Sequence, residues 1–305
     1  MPRYLARRIV QSLVTIFGVV TVAFFLVRLS GNPAALLLGP DASAADVDEL
    51  SKTLGFDDPL VVQYGRFLGD AVTGDLGMSL KQNIPSLDLV AQRLPATLEL
   101  ASTGFVLGIA AAFAVVMILQ YTDSARLRAA VLWFASARQA IPSFWLGVML
   151  VMVFAVTLRM FPALGNNSPL SIVLPAITIA TLECALYIRL LDTAFVEQRS
   201  ADYVRTAYAK GQRRGVVLLR HMLPNAVLPV ITVAGINLGV LLGGSIVVEL
   251  VFNWPGIGQL LIQSIAGRDY TVVQTSILVI ALFFVVVNLA VDLLYSVIDP
   301  RVRLK

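Results

Sequence analysis

The two residue types that most often serve in nucleophilic catalysis and in zinc binding, histidine and cysteine, are scarce in this chain. The 305 residues include one histidine, His221, and one cysteine, Cys184. A zinc site of the usual nitrogen and sulfur ligands needs several such residues, and a catalytic nucleophile needs a base and an orienting partner. The sequence also has no G-x-x-x-x-G-K-[ST] loop of the kind that cradles nucleotide phosphates. It therefore predicts no catalytic residue, no metal site and no nucleotide bound by this chain, which we expect not to be an enzyme.

The remaining polar residues must be judged against the apolar segments that surround them. Hydrophobic residues make up 58% of the chain and charged residues only 14%, which is typical of an integral membrane protein. Six runs are long and apolar enough to cross a bilayer: residues 9–27, 100–119, 139–158, 170–188, 225–248 and 270–291. We therefore predict an all-α membrane protein with six transmembrane helices.

The distribution of basic residues predicts how these spans are oriented. With the N-terminus inside, the inner segments carry twice as many lysines and arginines as the outer ones, in accord with the positive-inside rule. Both termini are then cytoplasmic, and the basic composition reflects the membrane rather than nucleic acid. The first run exceeds a signal-peptide core in length and has no A-x-A site after it, so we expect it to remain as a span. Residues 129–141 predict an interfacial segment that breaks at Pro142.

Residues 28–95 form a polar, acidic stretch between the first two spans. Helical patterns cover about 43–54, 58–72 and 85–94, with turns at Gly55, Gly74 and Gly77. We expect a small helical subdomain outside the membrane. It is either a lid that shapes the outer mouth of a pathway or a docking surface for another protein, and both interpretations stay open.

Glu183 interrupts the fourth apolar run, where a charge costs roughly 2.5–3.5 kcal/mol at mid-membrane. It could line a translocation pathway or pair with a base on a neighbouring helix, and the pairing is slightly favoured. Asn237 and Asn288 are expected to form hydrogen bonds between helices. Two rows of small residues, which allow close helix packing, recur at every fourth position: Gly104, Gly108 and Ala112, then Gly235, Gly239 and Gly243. We expect the first row to pack within this chain.

A basic, amphipathic stretch from Ser200 to Val230 lies between the fourth and fifth spans. Ser200 is a candidate N-cap, Asp202 places an acid in the first turn, and Lys210 with Gly211 is typical of a helix C-terminus. Residues at i, i+3, i+4 and i+7 form one face of this helix, namely Val204, Ala207, Tyr208 and Gly211. A second helical run, 216–222, is predicted to end at Leu223-Pro224. Two short helices hinged at a glycine could enter a groove of another protein, although an ordinary loop whose bases only fix the topology is the alternative.

This stretch resembles the coupling loop of bacterial ABC-importer permeases, with Arg205-Thr206-Ala207 in place of Glu-Ala-Ala ahead of Gly211 and Leu223-Pro224 at the end. The sequence of residues Asp202–Ala207 is similar to the corresponding segment in the dipeptide, oligopeptide and nickel branch of this family. Further segments that resemble this branch are Asp57-Asp58-Pro59, Gly74–Gly77, Arg93–Glu99, Glu249–Gly258 and the tail 294–301. The chain departs from the family at Asp192, where the branch often carries a base, and at His221, where the general motif has isoleucine.

The resemblance implies a type I ABC-importer permease fold in a bacterial cytoplasmic (inner) membrane. It implies as partners a homologous second permease subunit, two ABC ATPase subunits or domains that bind ATP and magnesium, and an extracytoplasmic substrate-binding protein, besides membrane lipids. It also implies an ATPase-coupling surface at Asp202, Tyr203, Val204, Arg205, Thr206, Ala207, Tyr208, Lys210 and Gly211. Candidate residues of the substrate pathway or its outer mouth are Glu183, Asn237, Glu249 and Trp254. By the same resemblance, the second glycine row is expected at an interface with the partner permease.

We accordingly expect four parts: residues 1–28 with the first span, an extracytoplasmic subdomain at 29–93, a core permease domain at 94–297 with its coupling loop at about 199–224, and a cytoplasmic tail at 298–305. The expected function is import of di- or oligopeptides by alternating access, driven by ATP. Importers of nickel chelates or haem share these motifs. The alternatives from other classes are an ion-gradient-driven secondary transporter that uses intramembrane acids such as Glu183 and Asp292, and a non-transporting scaffold.

Overall fold

The computed structural model describes residues 2–29, 34, 38, 43–53 and 55–298, and these are almost entirely helical. The only strand-like pairing among them is an isolated bridge between Met78 and Pro85. The predicted all-α class is confirmed. The helices are α1 (Pro2–Leu29), α2 (Ala44–Thr53), α3 (Leu60–Thr73), α4 (Ser86–Thr122), α5 (Ala125–Ala140), α6 (Ser143–Thr157), α7 (Val173–Arg199), α8 (Asp202–Ala209), α9 (Arg214–Ala226), α10 (Leu228–Gly244), α11 (Ile246–Val251), α12 (Ile257–Ala266) and α13 (Tyr270–Ile298).

Four of these segments are single helices long and apolar enough to cross a membrane: Arg7–Phe25, Ser86–Thr122, Pro169–Arg199 and Tyr270–Val291. Two bent pairs bring the number to six if each pair makes one crossing: α5 with α6, bent by 100°, and α9 with α10, bent by 47°. The predicted break at Pro142 is confirmed, because Pro142 is the N-cap of α6. A proline cannot donate the backbone hydrogen bond that would continue α5 into α6.

The chain divides into two compact units, one formed by Met1–Pro95 with Gly256–Ala290 and the other by Ala96–Pro255 with Val291–Ile298. In the first unit α3 lies against α1 through an aromatic cluster. The Tyr64 and Phe67 rings lie 5.2 and 5.4 Å from the Phe24 ring, and the Tyr64 and Thr21 hydroxyls are 2.6 Å apart. Apolar aromatic surface on both helices is thereby buried, which holds the polar segment close to the first span.

Two of the three helices predicted in this polar segment are confirmed as α2 and α3. The predicted turns at Gly55, Gly74 and Gly77 are also confirmed, since each residue has a positive φ. The third helix, predicted at 85–94, is wrong as a separate element. It is the first part of α4, which continues through Pro95 to Thr122 as one helix of 37 residues. The domain bounds proposed from the sequence stay a prediction.

The second unit has its core where α4, α5, α7, α8 and α9 meet around Tyr187, Leu191 and Phe195. Close approach of α4 and α7 depends on two glycines, because a Cβ on Gly104 would lie 2.7 Å from Ile179 and one on Gly108 would lie 2.7 Å from the Ala180 carbonyl oxygen. The expected packing of this row within the chain is confirmed. In the second row, a Cβ on Gly235 would meet Val291, whereas one on Gly243 would meet no atom within 4 Å. The proposed interface at this row stays a prediction.

Candidate functional site

The predicted coupling helix is present as α8, with two differences at its start. Ala201 is the N-cap and makes no side-chain cap hydrogen bond, whereas the Ser200 hydroxyl donates 3.0 Å back to the Glu197 carbonyl. The predicted cap at Ser200 is therefore wrong. The cause is that α7 continues to Arg199, so Ser200 closes that helix instead of opening the next one. Asp202 does place an acid in the first turn of α8, where it favours the helix dipole.

The C-terminal end of α8 is closed by Gly211, as predicted. Gly211 has a φ of +74°, its N–H donates 2.9 Å to the Tyr208 carbonyl, and the N–H of Gln212 donates 3.2 Å to the Ala207 carbonyl. This pair of bonds is the Schellman arrangement, which needs a residue in the left-handed region at the position of Gly211. The chain is thereby turned sharply from α8 towards α9.

One side of α8 is buried and the other is open. Val204 is 2% exposed and Ala207 is 4% exposed, and both belong to the core that contains Leu218 and Met222 of α9. Tyr208, predicted for the same face, is 46% exposed. The other predicted coupling residues on the exposed side are Asp202, Tyr203, Arg205, Thr206, Lys210 and Gly211. The helix is thus anchored by two apolar side chains and presents a polar surface of mixed charge.

The helix after the glycine is longer than the sequence suggested. The predicted end at Leu223-Pro224 is wrong, because α9 runs from Arg214 to Ala226. A π-helical segment, Val217–Met222, lies directly before Leu223-Pro224. Pro224 then stands in the first turn of the α-helical part that follows, Leu223–Ala226, where a proline is tolerated.

Side-chain hydrogen bonds connect the two short helices. The Tyr203 hydroxyl on α8 donates to Gln198 and accepts from the Asn225 amide of α9 at 3.1 Å. The His221 ring nitrogen Nε2 lies 2.6 Å from the Gln212 amide oxygen. His221, which departs from the family pattern, therefore joins α9 to the turn that follows Gly211.

Asp123, between α4 and α5, links the two ends of the coupling loop. Its carboxylate lies 2.8 Å from Arg199 at the end of α7 and 3.3 Å from Arg214 at the start of α9. The Arg199 guanidinium, which donates a hydrogen bond and lies beside it, holds the pKa of Asp123 below its ordinary value, and Arg214 adds to the effect. Arg214 also donates 2.7 Å to the Gln120 carbonyl.

A second carboxylate continues this network into the core. Asp192 of α7 is 4% exposed and accepts from Arg128 of α5 at 2.8 and 3.0 Å and from the Gln120 amide at 3.2 Å. The Gln120 amide oxygen accepts from Arg199 at 2.8 Å. We call the six residues Gln120, Asp123, Arg128, Asp192, Arg199 and Arg214 the polar clasp. No local pattern of residues indicated this network, because its members come from four helices and one loop.

Glu183 does not pair with a base among the residues that the structure describes. It is 7% exposed, and its Oε2 atom has no hydrogen-bond partner there. The pairing favoured from the sequence is therefore wrong, and two arginines that lie on or bind to the same helix, Arg189 and Arg138, donate elsewhere. Arg138 donates to Thr181 and to backbone carbonyls, and Arg189 donates to Gln139.

A cavity of about 290 Å³ opens beside this carboxylate. We call it the Glu183 cavity, and its polar lining consists of Gln139, Ser143, Glu183, Asn237 and Ser245. Asn237 of α10 also donates 3.3 Å to the Tyr187 hydroxyl of α7, so the expected bond between helices is confirmed for this residue. Asn288 instead donates 2.9 Å to the Phe284 carbonyl of its own helix, so that expectation is wrong.

The two other candidate pathway residues are buried within the second unit. Glu249 is 0% exposed and accepts from Thr97 at 2.8 Å and from Ser245 at 3.2 Å. Trp254 is 2% exposed, and its Nε1–H donates 2.8 Å to the Ala96 carbonyl. In this chain neither side chain faces an open surface, and both fasten the 249–255 segment to α4.

In the first unit the loop before α4 is bound to the turn before α13. The Ser79 hydroxyl donates 2.5 Å to Asp269, whose other oxygen accepts from the Leu80 N–H at 3.2 Å. The Ser86 and Thr275 hydroxyls are 2.7 Å apart. All four of these side chains are buried, so two stretches separated by about 190 residues form one polar junction.

The chain is a helical membrane protein that carries a short helix, buried on one side only, between two spans, and comparison with known families assigns its class. The model of the binding-protein-dependent transport system inner membrane component matches residues 104–304, and the model of its N-terminal part matches residues 1–101. The chain belongs to this family and is a membrane permease subunit of a binding-protein-dependent ABC importer.

The curated relatives belong to the peptide type. The chain is 40% identical over 311 residues to the glutathione transport system permease protein GsiC of Escherichia coli (strain K12), covering 100% of both chains. It is 35% identical over 332 residues to the dipeptide transport system permease protein DppB of Alkalihalophilus pseudofirmus, covering 99% of this chain and 100% of the relative. The predicted resemblance is confirmed.

Solved structures share the fold. The MetNI methionine ABC transporter in an inward-facing conformation matches with a TM-score of 0.61 at 20% identity, over 70% of this chain and 98% of that chain. An amino acid ABC transporter matches with a TM-score of 0.53 at 16% identity, over 70% of this chain and 94% of that chain. The predicted permease fold is confirmed.

Proposed function

We propose that this chain imports di- or oligopeptides and receives its energy through α8. The observation that carries the coupling proposal is the structure of α8. Val204 and Ala207 anchor this helix in the core, Gly211 ends it in the left-handed conformation, and its polar side is exposed. The substrate proposal is supported by the full-length relatives, which are named as permeases for glutathione and for dipeptides. Nickel chelates or haem are the outcomes that a substrate assay would have to distinguish.

The polar side of α8 is proposed to sit in a groove of an ATPase subunit, with Arg205, Tyr208 and Lys210 at the contact. ATP and magnesium then belong to that partner, and none is bound by this chain. Closure of the ATPase subunits would move α8 as a rigid lever, because the polar clasp connects both ends of the loop to α4, α5 and α7. A ligand that binds two states of a protein with equal affinity does not shift the equilibrium between them. ATP and the loaded binding protein must therefore together favour one state of the permease.

On the outer side, we propose that segments 28–95 and 250–274 receive the substrate-binding protein. The Ser79–Asp269 junction supports this role for the part that lies in the first unit, because it fixes two exposed loops with buried hydrogen bonds. The complete importer is proposed to contain a homologous second permease, two ATPase subunits or domains and one binding protein. Both termini are proposed to be cytoplasmic, in a bacterial inner membrane.

The test is purification of the tagged chain from its native membrane, followed by reconstitution in proteoliposomes. We expect an ATPase with a nucleotide-binding loop and a second permease to co-purify. ATP hydrolysis should be stimulated by binding protein loaded with a dipeptide, and the labelled dipeptide should accumulate. Stimulation only by a nickel chelate or haem would replace the substrate class. A chain that purifies alone and moves solute on an ion gradient would overturn the coupling proposal.

A further inference from the structure

The Glu183 cavity holds a carboxylate that has no counter-charge among the residues that the structure describes. Glu183 is 93% buried, being 7% exposed, and its Oε2 atom has no hydrogen-bond partner among the described residues. The polar groups that act on the carboxyl are the Tyr187 hydroxyl and the Asn237 amide, and neither carries positive charge. A buried carboxylate oxygen with free acceptor capacity is expensive unless a donor reaches it in some state of the protein.

The basic residues around the cavity do not supply that donor. Arg138 uses Nε, Nη1 and Nη2 on Thr181 and two backbone carbonyls. Arg189 donates to the amide oxygen of Gln139. Gln139 lines the cavity, so this arginine orients a lining residue but makes no bond with Glu183. Among the residues that the structure describes no base reaches the carboxylate, so a cationic group that enters the cavity would find an unused acceptor there.

The size and lining of the cavity limit what this group can be. A volume of about 290 Å³ has room for about ten waters at the share each occupies in the liquid. The walls are largely apolar, with a small number of polar groups on α5, α6, α7 and α10, as in sites that orient a small ligand. One amino-acid residue with its charged end fits this space, whereas a whole oligopeptide does not.

We propose that Glu183 accepts the N-terminal ammonium group of the transported peptide as it passes through the membrane. An ammonium has three N–H donors and no acceptor, which complements a carboxylate with an unused oxygen and the carbonyl of a neighbouring amide such as Asn237. The proposal rests on peptide import as the function of the chain. It makes the N-terminal residue of the peptide, rather than its C-terminus, the part that this permease recognises.

The test is equilibrium binding of labelled alanyl-alanine to the complete importer in nanodiscs without binding protein, with unlabelled N-acetyl-alanyl-alanine as competitor. Glu183→Gln keeps the shape of the side chain and removes its charge, so it should weaken binding of the free dipeptide about tenfold, as expected for loss of one charge-assisted hydrogen bond. Against the unchanged chain, the N-acetyl compound should compete about tenfold less well than the free dipeptide. In Glu183→Gln the two compounds should compete almost equally.

Two variants control for indirect effects. Glu183→Asp keeps the charge and should keep the preference for the free amine. Glu197→Gln makes the same change at an exposed position of the same helix and should bind like the unchanged chain. Equal binding by Glu183→Gln and the unchanged chain, an unaltered preference for the free amine in Glu183→Gln, or no measurable binding by the unchanged importer would each overturn the proposal. Competition by sodium or potassium chloride, but not by the choline salt, would assign the carboxylate to an inorganic cation and overturn it as well.

ATP-driven uptake of alanyl-alanine into proteoliposomes separates this proposal from the one on which it rests. If the unchanged importer takes up the dipeptide but Glu183→Gln binds it equally well, only the proposed ammonium site is refuted. Absence of uptake of any peptide would refute the proposed substrate class.

Discussion

Replacing Gly211 by alanine should loosen the C-terminal end of α8 without disturbing packed atoms. Gly211 has a φ of +74°, and a Cβ at this position would meet no atom within 4 Å. The substitution therefore acts through the backbone alone, where an L-residue in the left-handed region costs about 1–2 kcal/mol. The two hydrogen bonds that close the helix, from the N–H groups of Gly211 and Gln212, are the ones this strain opposes.

A penalty of this size should increase the population of the opened helix end by a factor of about 5–30. Amide hydrogen exchange in the purified importer measures that population directly, because exchange reports local opening. We expect peptides that contain Gly211 and Gln212 to exchange faster by this factor, with no change in the spans. Uptake per ATP hydrolysed should fall in the same variant, since a loosened lever transmits less of the movement.

Gly215→Ala is the matched control. Gly215 lies in the first turn of α9, and its added Cβ would also meet no atom within 4 Å. Alanine in a helix is favoured over glycine by about 0.5–1 kcal/mol, so exchange should be unchanged or slower there. Equal exchange in Gly211→Ala and Gly215→Ala would refute the role of the left-handed cap. Faster exchange in Gly211→Ala with unchanged uptake per ATP would refute the lever.

Three further predictions concern the second unit. Trp254→Phe removes the N–H that donates to the Ala96 carbonyl in a partly buried hydrogen bond and should destabilise the purified chain by about 0.5–1.5 kcal/mol; an unchanged thermal unfolding curve in detergent would contradict it. Gly108→Ala puts a methyl 2.7 Å from a carbonyl oxygen of α7 and should cost about 1–3 kcal/mol by overpacking. Gly18→Ala, with no atom within 4 Å, should not, so equal thermal stability of the two variants would count against the close helix contact. Asp123 has a lowered pKa because of Arg199, so its contribution to stability is complete above the ordinary value of 3.8 and is lost as the pH falls through the lowered value. The stability difference between the unchanged chain and Asp123→Asn should accordingly be constant near neutral pH and shrink below 3.8, and a difference that stays constant in acid would show that the charge of Asp123 does not matter.

Local sequence signals predicted the elements that depend on local physics. The apolar runs of bilayer length predicted the membrane class. Likewise α8 and its end at Gly211 followed from the acid in the first turn and the glycine after the last, both confirmed by the backbone geometry. The path of the chain at Leu223-Pro224 was missed for the opposite reason. A proline indicates a helix end by its own covalent structure, and the π segment that precedes Leu223-Pro224 leaves no sign in the residue pattern.

The candidate site depended on contacts between residues far apart in the chain, and here the sequence was a weaker guide. Glu249 and Trp254 looked like outer-mouth residues, yet each bonds to α4 more than 150 residues earlier. Glu183 was expected to find a base, and the arginines that could have served are bound to other groups. Polarity in a span predicts that a side chain needs partners, but only the packing of the helices decides which ones it has.

The polar clasp determines what could be exchanged between related permeases. A graft of residues 199–224 alone would carry Arg199 and Arg214 into a host that must provide carboxylate and amide partners at the end of its own second span. The residues that must be transferred together are therefore not contiguous in the sequence, and they include Gln120, Asp123 and Arg128 as well as the loop. Chimeras that transfer all of these residues should remain functional, whereas chimeras cut at the ends of the loop should fail. Substitutions at these distant positions are expected to accumulate together as related permeases diverge.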